Sequence, residues 1–317
     1  MVIDDHIIGH LSYNAQMMSM ANPKTSIEKI ELSIIIPAYN EEHGIFDTVG
    51  RVKKSLDRIH LNAEIIIIDD GSTDNTLEVL KKVGGIILIS HPQNRGYGAS
   101  LKTGLKKAAG EWIFITDADG TYPIEKLIEF WEWKDRYDMI VGARDPMSQN
   151  ISLFRKPGKM VLSTLAQYLV GQRIPDLNSG MRLFRKELGM EFYHLYPQGF
   201  SFTITITLGS MVNNYSVKFI PIEYAARKGK SKMNVVKDGL NFIGLILRVV
   251  TYFKPSKTLL PLGLGLIILG VSIGVYSYFY LEQFMDATVT LLILGGIQMF
   301  IFSILAQLIV KNRGYHV

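Results

Sequence analysis

The chain has 317 residues, of which 48% are hydrophobic and 20% charged, and it carries a formal charge of +5. That length holds one catalytic domain of ordinary size and a compact membrane part, and so much apolar content excludes an ordinary soluble enzyme. The basic excess suits an anionic partner, and on charge alone nucleic acid and an acidic membrane leaflet both qualify. The absence of cysteine excludes disulfides, thiolate metal sites and cysteine nucleophiles, so any metal must sit on oxygen or imidazole, and it suits a reducing compartment.

Residues 1–29 contain scattered polar groups, including Asp4 and Asp5, and no uninterrupted apolar core; they read as a loosely ordered tail and not as a signal peptide. From Leu32 the pattern is α/β. Short isoleucine-rich runs at Leu32–Pro37, Glu64–Asp69, Ile86–Ser90, Trp112–Asp117 and Met139–Gly142 do not alternate, which marks parallel strands covered on both faces. Helices are predicted over Glu41–Ile59, Thr73–Lys82, Gly98–Ala109 and Pro123–Lys134. Short connections at this spacing imply a doubly wound, mainly parallel sheet, whose ligands bind beyond the carboxyl ends of the strands.

The last third changes character. Leu259–Leu281 and Ala287–Val310 are 23 and 24 residues without a charge, each long enough to cross a hydrocarbon core of about 30 Å. Only the acidic 282–286 loop separates them, whereas Lys254 and Lys257 precede the pair and Lys311 and Arg313 follow it. The positive-inside rule then predicts an integral membrane protein with its catalytic domain and both termini in the cytoplasm. Two amphipathic segments, about 156–171 and 233–256, either lie at the membrane surface or pack on the domain. The expected organisation is a tail (1–29), a catalytic domain (30–232), an interfacial helix (233–256), a transmembrane hairpin (257–311) and a short tail (312–317).

Three clusters carry chemistry. Pro37-Ala38-Tyr39-Asn40-Glu41 ends the first strand and Asp69-Asp70-Gly71-Ser72-Thr73-Asp74 the second, where acidic and amide groups can bond a nucleobase and ribose; Ser72 and Thr73 are also good helix caps. Asp117-Ala118-Asp119 ends the strand Trp112–Thr116. Paired carboxylates there suit Mg²⁺ or Mn²⁺ against a diphosphate. Gly96-Tyr97-Gly98 lacks the third glycine of a dinucleotide fingerprint, having Leu101, and Gly229-Lys230-Ser231 lacks the first glycine of a P-loop, having Tyr224.

Together with NRGYGASLKTG, the GAR of Gly142–Arg144, DLNSGMRLFR from Asp176 and the late RKGKSK, these motifs resemble the family-2 inverting glycosyltransferases of GT-A fold, in the dolichyl-phosphate mannose synthase and polyprenyl-phosphate glucosyltransferase group. The two-span tail is similar to that of the bacterial glucosyltransferase branch. The resemblance implies that Pro37, Tyr39, Glu41, Asp70 and Asp117 serve the donor, that Asp117 and Asp119 hold the metal, and that Arg144, Arg155, Lys159, Arg227, Lys230 and Lys232 meet phosphates. It sets Asp117, Asp119 and Asp176 as the catalytic carboxylates, with Asp176 either a base or an orienting group. Some relatives carry a further metal-binding glutamine where this chain has Thr121.

The implied reaction is inverting transfer of a hexose, by branch resemblance glucose from UDP-glucose, to polyprenyl phosphate. GDP-mannose is the alternative donor, and a catalytically silent lipid-binding scaffold the alternative of another class. The partners expected are the nucleotide sugar, the lipid phosphate and the membrane, with no nucleic acid and with a homo-oligomer left open. A processive polysaccharide synthase would need a Gln-x-x-Arg-Trp motif, and no arginine precedes Trp112, Trp131 or Trp133.

Overall fold

A computed structural model describes residues 29–145, 163–168, 170–199, 201–225, 244, 246–248 and 250–313. The predicted N-terminal tail to residue 28, and the phosphate-binding candidates Arg155, Lys159, Arg227, Lys230 and Lys232, lie outside the described residues. Seven strands form one sheet: β1 (Leu32–Ala38), β2 (Ala63–Asp69), β3 (Ile87–Ser90), β4 (Trp112–Ile115), β5 (Met139–Arg144), β6 (Arg182–Arg185) and β7 (Val217–Ile222). Their order is β3-β2-β1-β4-β6-β5-β7.

All strands are parallel except β6, which runs antiparallel to both β4 and β5. β1 to β5 fall on the five predicted apolar runs, whereas β6 and β7 correspond to no predicted strand. β1 is central, and all seven of its residues are buried. Ile34, Ile36 and Phe114 face a core shared with α1 (Ile45–Ile59), a 3₁₀ turn (Ile124–Lys126) and α4 (Leu127–Glu132). Ile35, Ile66, Ile68 and Ile113 face a second core under α3 (Tyr97–Lys107), α5 (Lys186–Glu191) and α6 (Phe202–Val212). Because β1 lies between β2 and β4, the chain's direction of winding reverses there, and a crevice opens beyond the carboxyl ends of β1 and β4.

The helix α2 (Thr76–Lys81) begins three residues later than predicted. Ser72 and Thr73 do not cap it. The Ser72 hydroxyl accepts the Asn40 amide at 3.1 Å and Asn40 Oδ1 accepts the Thr73 amide at 2.8 Å, so these residues tie the β2 loop to the β1 loop. Every residue of α6 is buried, and three of its hydroxyls bond back one turn: Thr205 to Ser201 O at 3.0 Å, Thr207 to Thr203 O at 2.7 Å and Ser210 to Ile206 O at 2.7 Å. Ile204 and Leu208 of α6 pack with Ala166 and Val170 and with Ile246 and Val250. These apolar residues of both amphipathic segments are therefore used against the domain.

Two long helices close the chain, α7 (Ser256–Tyr280) and α8 (Asp286–Arg313). Each is long and apolar enough to cross a membrane, and only 11% of each apolar window is buried inside the protein.

Candidate active site

The crevice is built from three strand ends. The β1 and β2 loops are clamped as one unit: the Glu41 amide donates to Thr76 Oγ1 at 2.8 Å, the Glu42 amide to Asp74 Oδ2 at 3.3 Å, and Glu42 Oε2 accepts the Asn75 amide at 3.0 Å. Asn40 takes φ 57° at the bend, a left-handed conformation that asparagine tolerates better than most residues. Register pairs Ala38 with Asp69, so Pro37, Tyr39, Glu41 and Asp70 come together at one end of the sheet.

Asp70 faces inward. Its carboxylate accepts the Arg95 amide at 3.0 Å and the Gly96 amide at 2.7 Å, and it meets His91 Nδ1 at 2.7 Å, while His91 Nε2 reaches Thr103 Oγ1 at 3.0 Å. Both Asp70 and His91 are buried. The pair thus shapes the turn that starts α3, whose first residue is Tyr97.

Tyr97 connects this unit to β4: its hydroxyl donates to Asp117 Oδ1 at 3.0 Å. Burial and the neighbouring Asp117 charge push the Tyr97 phenol well up, so it remains a donor. Asp119 is held by its own turn, accepting the Thr121 hydroxyl at 2.6 Å and the Thr121 amide at 3.1 Å. The intervening Ala118 carbonyl accepts the Thr48 hydroxyl at 2.9 Å, and Arg51 donates to Gly120 O and Tyr122 O while paired with Glu125. Tyr97 thus orients Asp117 and Thr121 orients Asp119, and the loop between them is pinned to α1.

The opposite wall comes from the segment before β6. Continuing the β4–β6 ladder places Gly180 beside Asp117, and a Cβ there would lie 2.7 Å from Asp117 Oδ1. Only glycine allows that approach. The Gly180 amide donates to the buried Tyr122 hydroxyl at 2.7 Å. Two residues on, Arg182 is fully buried, donates to Thr203 O and Thr207 Oγ1 at 3.1 Å each and to Ser179 O, and has no carboxylate partner among the described residues. Burial lowers its guanidinium to about 10, which leaves it charged at neutral pH.

Asp176 and Arg144 meet at the end of β5. Arg144 Nε and Nη2 donate to the two Asp176 oxygens at 2.7 and 3.0 Å, and the Asn178 amide adds a bond at 3.0 Å. Burial by itself would raise the Asp176 carboxyl, but the Arg144 hydrogen bonds and charge outweigh it and hold it below the usual range. Arg144 also lies over the Tyr224 ring, 5.3 Å from its centroid, and Tyr224 packs edge-on against Tyr122 at 5.1 Å.

The two loops expected to bind a donor, the carboxylate pair and the Arg144–Asp176 region all lie at one end of the sheet. Tyr97, Tyr122, Gly180 and Arg182 join these residues without being expected from the sequence; the last two stand in the DLNSGMRLFR motif, and Tyr97 in NRGYG. Among the described residues no set of three His, Cys, Asp or Glu is grouped to hold a metal. Two carboxylates fit a hard ion that takes its remaining ligands from phosphate oxygens and water, the usual arrangement for Mg²⁺ beside a nucleotide.

Comparison with known proteins agrees with this geometry. A profile described as "Glycosyl transferase family 2" matches residues 33–191. A dolichyl-phosphate hexose transferase of Haloferax volcanii is 29% identical over 211 residues, covering 66% of this chain and 89% of that protein. A low-salt glycan biosynthesis hexosyltransferase, Agl6, of the same organism is 27% identical over 253 residues, covering 76% of this chain, which spans only 58% of that relative. Among solved structures, glucosyl-3-phosphoglycerate synthase of Mycobacterium tuberculosis, in complex with Mn²⁺, UDP-glucose and phosphoglyceric acid, superposes with a TM-score of 0.56 at 17% identity over 69% of this chain and 79% of its own.

Proposed function

The chain belongs to glycosyl transferase family 2, whose profile spans half of it, and on that premise we propose that it transfers glucose from UDP-glucose to the phosphate of a polyprenyl lipid at the cytoplasmic membrane surface. The observation that carries the reading is the Asp117–Asp119 pair at the carboxyl end of β4, across the β1 crevice from the two clamped donor loops. The dolichyl-phosphate relative supports the lipid acceptor, and the UDP-glucose and Mn²⁺ in the mycobacterial fold neighbour support the donor and the ion. The α7–α8 pair supports a membrane location.

Asp117 and Asp119 would hold Mg²⁺ or Mn²⁺, which when bound supplies Lewis-acid stabilisation to the departing nucleoside diphosphate. Tyr97 and Thr121 fix the two carboxylates, and Gly180 leaves room beside Asp117. A phosphate oxygen of the lipid forms the new bond to the anomeric carbon while the carbon–oxygen bond to the diphosphate breaks, its electron pair leaving with the diphosphate, in one inverting displacement. The lipid phosphate is already anionic at neutral pH, so no residue need take a proton from it. Asp176 then acts by holding Arg144, whose planar guanidinium suits a phosphate better than a lysine would. Arg155, Lys159, Arg227, Lys230 and Lys232, which follow β5 and β7 in sequence, complete the phosphate site in this reading. The catalytic unit (30–232), the 233–256 helix and the 257–311 hairpin are its working divisions.

The test is the full-length chain in liposomes with polyprenyl phosphate and Mn²⁺, offered UDP-glucose, other UDP-hexoses and GDP-mannose in turn. Lipid-extractable glucose from UDP-glucose alone is expected, absent in Asp117→Asn. Preference for GDP-mannose would overturn the donor, and transfer only to a soluble hydroxyl would overturn the acceptor.

A further inference from the structure

Within the α7–α8 hairpin, α8 turns one face to its partner. Ser303 is buried there, and a Cβ on Gly296 would lie 2.7 Å from Gly263 O. At 3.6 residues per turn, Gln298 lies about 200° round the helix from Gly296, on the outward side. Its side chain is exposed, near the midpoint of the span Ala287–Val310, and it makes no hydrogen bond among the described residues.

Gln298 does not stand alone. Leu291, Leu294, Gln298, Ile301, Leu305 and Leu308 are spaced 3, 4, 3, 4 and 3 residues apart, and all are exposed. That is the a/d spacing of a left-handed helix pair, with one polar residue at a single core position, a device that fixes register and oligomer state at some cost in stability. Lipid tails can cover leucine and isoleucine but cannot bond an amide, and an unsatisfied polar group in hydrocarbon costs several kcal/mol. A carboxamide both donates and accepts, so it complements its own copy across a two-fold axis.

We propose that the outward face of α8 joins two copies of this chain inside the bilayer, with Gln298 bonded to the Gln298 of the second copy. The proposal rests on the reading that α7 and α8 span a membrane, and it leaves the catalytic body of each copy intact, since the hairpin contact and the dimer contact use opposite sides of α8.

The chain contains no cysteine, so single cysteines report proximity without background. Full-length Leu294→Cys, Gln298→Cys, Ile301→Cys and Leu305→Cys, oxidised in native membranes, are expected to give several times more disulfide-linked dimer than Ile297→Cys and Ile304→Cys, which are similarly exposed at 45% and 46% but lie to one side of the stripe. Adding Gln298→Leu to Leu294→Cys should lower the dimer yield about threefold, the scale of an average interhelical hydrogen bond in a membrane. Equal yield at all six positions, adducts with a protein of another mass, or no dimer would overturn the proposal. Carbonate extraction separates the premises: a chain released from the membrane pellet defeats the spanning reading and the dimer with it, whereas a chain retained without periodic cross-linking defeats the dimer alone.

Discussion

The α/β body and the α7–α8 hairpin use the same isoleucine, leucine and valine to opposite ends. In β1 every residue is enclosed by protein, whereas the hairpin windows leave all but 11% of their residues outside it. The polar groups separate the two regions more sharply. In the body, Asp70, Asp176 and Arg182 are buried and each is bonded to backbone or side chain. In the hairpin, Ser272 bonds back to Ile268 O at 2.8 Å, but Gln298 has no such partner among the described residues. Apolar content says that a surface must be hidden; where the polar atoms find partners says what hides it.

This contrast can be broken region by region. The largest effect is expected from Asp117→Asn, which should lower kcat about 10³-fold, the scale of losing a main electrostatic stabiliser, while membrane retention stays unchanged. Next comes Asp176→Ala, which removes the carboxylate paired with Arg144 in a mostly buried site and should cost about 3 kcal/mol in denaturant unfolding of the body. Because the folded Asp176 carboxyl is lowered, its stabilisation is present above its unfolded value of about 3.9 and is lost as pH falls through the folded value. The stability gap between the wild type and Asp176→Asn should therefore narrow only in acid below pH about 4; a gap that closes near neutrality would contradict the ion pair.

On the hairpin side, Ile268→Arg puts a charge on an outward residue of α7. It should oppose insertion by about 3 kcal/mol, read as loss from the membrane pellet, with nucleotide affinity of the body unaltered. The smallest effect is expected from Tyr97→Phe, which removes one orienting hydroxyl from Asp117 and should weaken Mn²⁺ binding about tenfold, as changes just behind a metal ligand do, leaving metal-free UDP binding as it was. Equal loss of both would mean that Tyr97 only supports the fold.

Much of the fold was legible in the sequence because its central strands are apolar on both faces and the stretches Leu259–Leu281 and Ala287–Val310 carry no charge. The parts that escaped are those whose signal is shared between distant residues. β6 is four residues with arginine at each end, and nothing local reveals that Arg182 is answered by the Thr203 carbonyl and the Thr207 hydroxyl of α6. β7 carries Lys218 and Pro221 on the sheet edge, a composition that reads as loop. Ser72 and Thr73 look like caps until Asn40, thirty-odd residues away, takes their bonds. In the site, the carboxylates were visible as a pair, but the hydroxyl that aims one of them comes from the start of α3. Asp176 was legible as important and ambiguous in role, since only the folded chain sets Arg144 against it.

The most direct test of the account couples the two regions in one assay. With the full-length chain in liposomes supplied with UDP-glucose and Mn²⁺, nucleoside diphosphate release and lipid-linked glucose should rise together, in equal amounts, only when polyprenyl phosphate is in the bilayer. Diphosphate release that is as fast in vesicles lacking the lipid phosphate, with no sugar in the lipid extract, would contradict it.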